Sequence, residues 1–359
     1  MIVSRVEFDR FRNLKKGEIR FCDGINVIYG ENAQGKTNIL EAIWLFSGAK
    51  SFRGSKDSEL IAYDSKNAEL KMDFFAENRE QTALLRLGEN KGAELNGVKK
   101  GSPSKFGGIV RSVIFSPDHL SLIKDGPSER RSFIDMAISQ LNPAFTSLVG
   151  KYNRAITQRN SVLKDVRFHS GLDEILNAYE QQIAMLGARI IRYRRRYVEL
   201  INKFAPEIYS GLSHGKEKIN IQYITAADSE QQLVQMLFCS RNEDIASGIT
   251  SVGPHRDDIE VEINGHSARR FGSQGQQRSC VLTLKLCEAS ILYENSGEQP
   301  IILLDDVMSE LDDQRQDYIL NHIGSRQVFI TCCDKNSIDK MKTGRAFCVI
   351  DGEVHEDTE

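Results

Sequence analysis

The sequence predicts an α/β fold divided by an inserted helical arm. Three observations carry that prediction. A glycine-rich loop, "GENAQGKTNIL" at 30–40, follows the apolar run "INVIY" near the start of the chain. An apolar run ending in acids, "IILLDD" at 301–306, lies near the other end. Between them, apolar side chains recur in alternating steps of four and three, the spacing of a helical seam.

Composition bounds the alternatives. The 359 residues are 40% hydrophobic and 27% charged, enough for one large or two medium domains with a substantial core. No apolar run approaches the ~20 residues that span a bilayer. The opening "MIVSRVEFDRFRN" carries charge where a signal peptide needs its apolar stretch, so a cytoplasmic protein without a membrane partner is expected. The seven cysteines (22, 239, 280, 287, 332, 333 and 348) form no C-x-x-C pair, which argues against a zinc site or a disulfide framework. Net charge is −3, yet "RIIRYRRRYVELINK" at 189–203 holds six basic residues and one acid. Arg192, Arg194, Arg195 and Arg196 are therefore candidate phosphate contacts, with a merely solvated helix face as the alternative.

The elements follow in order. "IVSRVEF" alternates as a strand, "INVIYG" is a buried strand, and "TNILEAIWLF" continues the glycine loop as a helix. Further strands are expected at "ELKMDFFAE", "TALLRLG" and "GIVRSVIF", with a hairpin turn at Asn96-Gly97. From about residue 128 the period changes. Leu172, Leu176, Tyr179, Ile183, Leu186, Ile190, Tyr193, Tyr197, Leu200 and Phe204 make an unbroken seam. A weaker seam through Ile134, Ile138, Leu141, Phe145, Leu148 and Tyr152 lapses at Arg159, and "DVRFHSG" at 165–171 offers a turn between the two. Two helices of roughly 35 residues would make an antiparallel arm about 50 Å long, with a compact helical subdomain as the alternative. Strands return at "KINIQYI" and "DDIEVEINGHSARRF", with a turn at Asn264-Gly265. A helix at 275–293 and strands at "IILLD", "QVFIT" and "FCVID" complete the chain.

Gly30, four residues, then Gly35-Lys36-Thr37 is the P-loop pattern. Backbone N–H groups of Glu31, Asn32, Ala33 and Gln34, with the helix that begins near Asn38, would surround phosphate oxygens; the glycines let the main chain approach closely. Lys36 is placed to reach the β/γ-phosphates of ATP, and the Thr37 hydroxyl to coordinate Mg²⁺. The acidic strand would bring Asp305 to the sheet edge beside this loop to hold Mg²⁺ through water, and Asp306 could polarise the attacking water. In "FGSQGQQRS" (271–279), Ser273-Gln274-Gly275-Gln276 supplies a hydroxyl, a glycine and amides at a helix N-terminus, a second anion-binding device. Two such devices in one chain make sense if they meet across a dimer.

Together with "SELD" (309–312), these motifs resemble the ABC-type ATPase heads of the SMC, Rad50 and RecF family. The short arm, the chain length, "FSPDHLSLIKDGPSERRSFID" (115–135) and "SVGPHRDD" (251–258) are similar to its RecF branch over essentially the whole chain. The resemblance implies an ABC-type P-loop ATPase head, a mixed sheet with helices, formed by residues 1–125 and 216–359. Residues 126–215 would be an inserted helical arm of antiparallel coiled-coil type. It also implies a DNA-repair ATPase that forms a homodimer with ATP and binds double-stranded DNA and single-strand/double-strand junctions. Its implied partners are RecR and RecO and, indirectly, RecA. Position by position, Asn32, Gly35, Lys36 and Thr37 match the Walker A loop, and Ser273, Gly275 and Gln276 the signature motif. Asp305 matches the Walker B carboxylate, Asp312 the D-loop aspartate, and Arg53 an arginine that faces nucleotide and DNA.

The departures from the wider ABC pattern point to slow hydrolysis. Asp306 stands where a longer glutamate is usual, Cys332 where a switch histidine follows the strand, and "FSPD" where a glutamine is expected. Two other classes share part of the pattern. A transporter ATPase subunit would normally keep the histidine and would lack the basic heptad helix. An SMC or Rad50 structural ATPase would need hundreds of coiled-coil residues.

Overall fold

Alternating and continuous apolar runs from the N-terminal third build two different sheets. The computed structural model describes residues 1–166, 171–324, 326–333 and 344–357. The chain opens with β1 (Ile2–Asp9), β2 (Gly17–Arg20), β3 (Ile25–Tyr29) and α1 (Lys36–Leu45). Next come β4 (Asn67–Ala76), β5 (Arg79–Gly88), β6 (Gly92–Leu95), β7 (Val98–Lys99) and β8 (Ser112–Phe115). Strands β2-β1-β4-β5-β6-β7 form an antiparallel sheet whose inner face is set by period two; in β4, Ala68, Leu70, Met72, Phe74 and Ala76 are all buried. The other face carries an ion-pair ladder: Arg5–Asp73 at 2.8 Å, Lys71–Glu7 at 3.0 Å, Arg86–Glu69 at 3.0 Å and Arg86–Glu94 at 2.6 Å. The β6–β7 turn is the expected Asn-Gly pair, with both residues at positive φ (51° and 75°).

The second of the two compact units comprises residues 121–209 and 216–280. It holds α2 (Ser121–Lys124), α3 (Pro127–Leu141), α4 (Pro143–Asp165) and, through Tyr209, α5 (Asp173–Ser213). It continues with β9 (Ile219–Ile224), α6 (Glu230–Cys239), α7 (Arg241–Ser247), β10 (Asp258–Ile263), β11 (His266–Ser267), α8 (Ala268–Phe271) and the start of α9 (Gln274–Ser296). Helices α4 and α5 are antiparallel. Phe145 meets Tyr193 with ring centroids 5.3 Å apart, Tyr152 lies against Gly187, and Arg159 bonds Glu180 at 2.9 Å, so steps forward along α4 match steps back along α5.

The arm nevertheless differs from the expected pair of equal helices. The first half breaks at Asn142, whose extended backbone and side chain cap α4 through Ala144 N, with Pro143 in the first turn. The expected turn at 165–171 falls largely on 167–170, outside the described residues. Helix α5 buries a second stripe beside its seam, including Glu180, Ala184, Ile191, Arg194, Val198 and Ile201. Beside its antiparallel pairing with α4, α5 is therefore covered on a broad face within the compact unit. The unit also takes in residues 216–280, which the sequence reading gave to the head. The sheet β11-β10-β9 is held to α3 and α5: Arg130 pairs bidentately with Asp258 at 2.7 and 2.9 Å, and Asn202 brackets the backbone of Ile221 at 2.6 and 3.1 Å.

One candidate DNA contact is overturned here. Arg194 is 4% exposed, bonded to both carboxylate oxygens of Asp135 at 2.8 Å and to Pro254 O at 2.6 Å, so it anchors three segments and faces no ligand. Arg195 and Arg196 are ion-paired with Asp228 and Glu199, and Arg192 is exposed.

The chain then returns to the first unit, residues 1–120, 210–215 and 281–359. There β12 (Ile301–Asp305), α10 (Asp313–Ile323), β13 (Val328–Cys332), β14 (Gly344–Ile350) and β15 (Glu353–Asp357) complete a second sheet, ordered β15-β14-β3-β13-β12-β8. All neighbours are parallel except β14 and β15. Every residue of β12 and β13 is buried, which is why both read as continuous apolar runs. The side chain of Gln327 joins the two sheets. It accepts from Val3 N and donates to Val3 O, both at 2.7 Å, where a bulge interrupts β1 between Val3 and Arg5. Among the described residues no helix is long and apolar enough to cross a membrane.

The lapse of the seam at Arg159 also has a physical reason. Its guanidinium is fully buried and bonded to Asp244 at 2.7 Å, Thr250 at 3.0 Å and Glu180 at 2.9 Å, while Arg241 shares Glu180 from the other side. Removing one member leaves buried carboxylate charge uncompensated. Arg159→Met is therefore expected to destabilise the protein by about 3–5 kcal/mol, read as an earlier urea-induced loss of helical circular dichroism. Adding Asp244→Asn should restore part of that loss.

Candidate nucleotide-binding site

Strand order builds the site. Strand β13 lies between β3 and β12, so the loop after β3 and the acid at the end of β12 emerge at one edge of the parallel sheet. Gly30 has φ 147°, and a β-carbon there would lie 2.5 Å from Val349 O, so only glycine lets the loop leave β3 against β14. Ala33 (φ 65°) and Gly35 (φ 118°) turn the loop into α1, whose first residue is Lys36. The Lys36 ammonium lies within the loop, donating to Gly30 O at 2.6 Å and Glu31 O at 2.8 Å. A cation held among loop carbonyls at a helix N-terminus is the geometry that receives phosphate.

Asp305 closes the other side. Its Oδ1 accepts from Thr37 Oγ1 at 2.8 Å and from Thr331 Oγ1 at 2.9 Å, and Thr331 Oγ1 accepts from Asp306 N at 2.9 Å. The carboxyl is 7% exposed. Burial pushes its pKa above the ordinary carboxylate value, with nearby Asp306 acting in the same direction and the two hydroxyl bonds against it. Two hard oxygens, on Thr37 and Asp305, suit a cation of the Mg²⁺ type, which takes one or two protein oxygens and fills its shell with water and phosphate. Asp306 has φ 51° and accepts from Ser309 Oγ at 3.1 Å.

A supporting layer fixes these groups. Asn13 donates to Ala33 O at 3.0 Å and accepts from Asn38 Nδ2 at 2.6 Å, and Gln34 Oε1 accepts from Asp351 N at 2.5 Å. Fully buried Glu41 on α1 receives Arg12 bidentately at 2.9 and 3.0 Å and Ser51 Oγ at 2.5 Å. That clamp holds the segment carrying Arg53, whose guanidinium donates to Asn38 Oδ1 at 3.2 Å. Arg53 thus stands beside the P-loop helix.

The second unit carries the other motif. Ser273 caps α9: its hydroxyl accepts from Gln276 N at 3.3 Å, and the Gln276 side chain accepts from Ser273 N at 2.7 Å, a capping box. Gln276 also donates to Glu217 at 2.6 Å. Ser273 and Gln274 are exposed and Gly275 is half-buried, so this helix terminus is open to a ligand. In the first unit, Asp312 caps α10 through Arg315 N at 2.9 Å, which lowers its pKa.

The structure brings together Gly30 to Asn38, Arg53, Asp305 and Asp306 in the first unit. It also locates residues that motif reading missed: Asn13, Glu41, Thr331 and Cys333. Cys332, set by sequence at the switch position, is buried and in register with Tyr29. Its neighbour Cys333 faces the loop, donating to Asn32 Oδ1 at 3.2 Å with its sulfur 3.9 Å from Lys36 Nζ. Successive residues at a strand end point to opposite sides, so a shift of one position exchanges the two thiols.

Residues 2–353 match the family described as the RecF/RecN/SMC N terminal domain. The chain is 39% identical over 360 residues to the DNA replication and repair protein RecF of Lachnoclostridium phytofermentans, covering 99% of this chain and 100% of that protein. The chain belongs to the RecF family. A RecF protein from Agathobacter rectalis is 38% identical, with 99% of each chain covered. A solved structure of the recombination mediator protein RecF with ATP, in the RecFOR pathway, has a TM-score of 0.92 at 37% identity, covering 99% of this chain and 98% of that one. The Smc head domain of Pyrococcus furiosus shares the fold at 18% identity and a TM-score of 0.56, covering 99% and 96%. Membership of the RecF family sets aside the transporter subunit.

The elevated Asp305 pKa has a thermodynamic consequence. A carboxyl that holds its proton more tightly folded than unfolded loses folding stability as pH rises through its folded-state value. Asp305→Asn keeps an acceptor for both threonines and removes the charge. It should melt at a higher temperature than wild type at neutral pH without nucleotide, and the gain should shrink in acid. Differential scanning calorimetry across pH checks both.

Proposed function

We propose that this protein is an ATP-gated DNA-binding protein of recombinational repair and replication restart. The carrying observation is the Thr37 Oγ1–Asp305 Oδ1 bond of 2.8 Å, which makes the P-loop and the acidic strand one site. Lys36 and the loop amides hold the β/γ-phosphates of ATP, and Thr37 and Asp305 hold Mg²⁺, which screens phosphate charge when bound. The exposed capping box at Ser273 supplies anion-binding groups for the γ-phosphate bound by a second copy of the chain, with Gly275 and Gln276 beside it. ATP then favours the dimer because its γ-phosphate makes contacts that differ between the separate and joined states. Asp312, matched to the D-loop aspartate, takes part in joining the two copies from the first unit.

The dimer clamps duplex DNA and single-strand/double-strand junctions. The RecFOR setting of the solved relative supports RecO and RecR as partners, with RecA loading downstream. Hydrolysis to ADP is slow, because Asp306 is shorter than glutamate and holds the attacking water less well; ATP acts as a timer for release. The full-length likeness to RecF proteins, against 18% identity to the Smc head, favours this reading over a long-armed structural ATPase.

Two variants separate the parts. Lys36→Met should weaken ATP binding by at least tenfold in a fluorescent-nucleotide titration and abolish ATP-dependent dimers; unchanged affinity would remove the P-loop assignment. Ser273→Arg should leave ATP binding to the monomer intact while dimers, hydrolysis and tight DNA binding disappear. Normal dimers of that variant in light scattering with ATP and Mg²⁺ would overturn the clamp.

A further inference from the structure

Basic residues of the first unit are treated in two ways. On β1, β4 and β5 and the turns beside them they are neutralised: Arg5, Lys71, Arg86, Lys66 and Lys91 each have a carboxylate partner. In the segments 46–55 and 96–107 there is no Asp or Glu, yet they carry Lys50, Arg53, Lys99, Lys100 and Lys105. Among the described residues none of these five makes an ion pair, although the Arg53 charge reaches Asp305 and Lys99 stands across from Glu94, which is bonded to Arg86; all but the half-buried Lys100 are exposed.

The two segments touch. Phe46 and Phe106 pack with ring centroids 6.2 Å apart beneath them. A β-carbon on Gly48 would lie 2.9 Å from both Pro103 O and Gly107 N, so the loops approach at backbone distance. The Trp44 indole fixes Lys50 by donating to its carbonyl at 2.8 Å, and Arg53 is tied to Asn38 on the P-loop helix. Unpaired positive charge on two apposed, well-anchored loops raises the local potential and attracts a polyanion. Small polar residues between the lysines, Gly54, Ser55, Gly101, Ser102 and Ser104, let a phosphate backbone come close. Phe46 and Phe106 are buried, and Val98 is the one exposed large apolar side chain of the two segments, so a membrane would find no wedge.

We propose that these two loops are the surface on which the protein holds the phosphate backbone of duplex DNA, in place of the arginine run of α5. The inference rests on the DNA-binding function proposed above and assigns its site. Contacts of this kind are electrostatic and insensitive to sequence.

The test combines Lys99→Glu, Lys100→Glu and Lys105→Glu in the full chain, with Arg195→Glu plus Arg196→Glu as the comparison. Fluorescence anisotropy with a short duplex, ATP and Mg²⁺ should show at least a tenfold loss for the lysine variant. The slope of log affinity against log salt should flatten by about 2–3. ATP affinity and ATP-dependent dimers should stay unchanged, and the arginine variant should bind like wild type. Equal affinity and slope in the lysine variant overturn the inference while the proposed function stands. If wild type fails to bind duplex with ATP, the functional proposal falls and this surface with it. Loss of binding to vesicles of equal phosphatidylserine and phosphatidylcholine, with duplex binding intact, would reassign the loops to a membrane. Should the triple variant melt early, Lys105→Glu alone gives the same reading at smaller amplitude.

Discussion

A carboxylate at the end of a fully buried strand is unfavourable unless something compensates its charge, and Asp305 is compensated by hydroxyls from two different elements. Thr37 reaches it from the first turn of α1, and Thr331 from the neighbouring strand. Those bonds fix the P-loop helix relative to β12 and β13, and so fix where Lys36 sits. The compensation is incomplete, since burial still raises the pKa. A site that holds charge at a cost in its free state is poised to gain from a cation. Stability without a ligand and readiness to take a cation are thus opposed at one carboxyl group.

The layer behind the site works by the same logic. Glu41 is a second buried carboxylate on α1, and it is met fully by Arg12 and Ser51. Its neutralisation costs the site nothing in readiness, and it ties the Arg53 segment to the helix that bears Thr37.

The motifs were legible because their chemistry is local: a glycine that opens the loop, a lysine six residues on, an acid at a strand end. Strand runs such as "IILLD" and "QVFIT" were legible because burial on both faces leaves few polar positions. The arm was less so. A four-three spacing shows that a helix has an apolar stripe, but not how many neighbours cover it. Charged residues such as Arg194 and Arg159 look like surface until a distant Asp135 or Asp244 neutralises them. Cys333 and Thr331 carry no spacing signal at all; they matter because strand order puts β13 between the two motifs.

The sheet that carries the site is assembled from opposite ends of the chain. Strand β3 pairs with β13 and β14, which lie almost the whole sequence away. During synthesis, β3 and the loop behind it therefore leave the ribosome with both strand edges unpaired, and stay so until the last strands appear. The inserted unit between them has its own core and can fold first. Pairing so distant in sequence closes slowly, so the sheet edge that carries the candidate site forms late. A truncated chain that stops before β13 would expose the apolar "INVIY" edge and be marked for chaperones or degradation rather than accumulate.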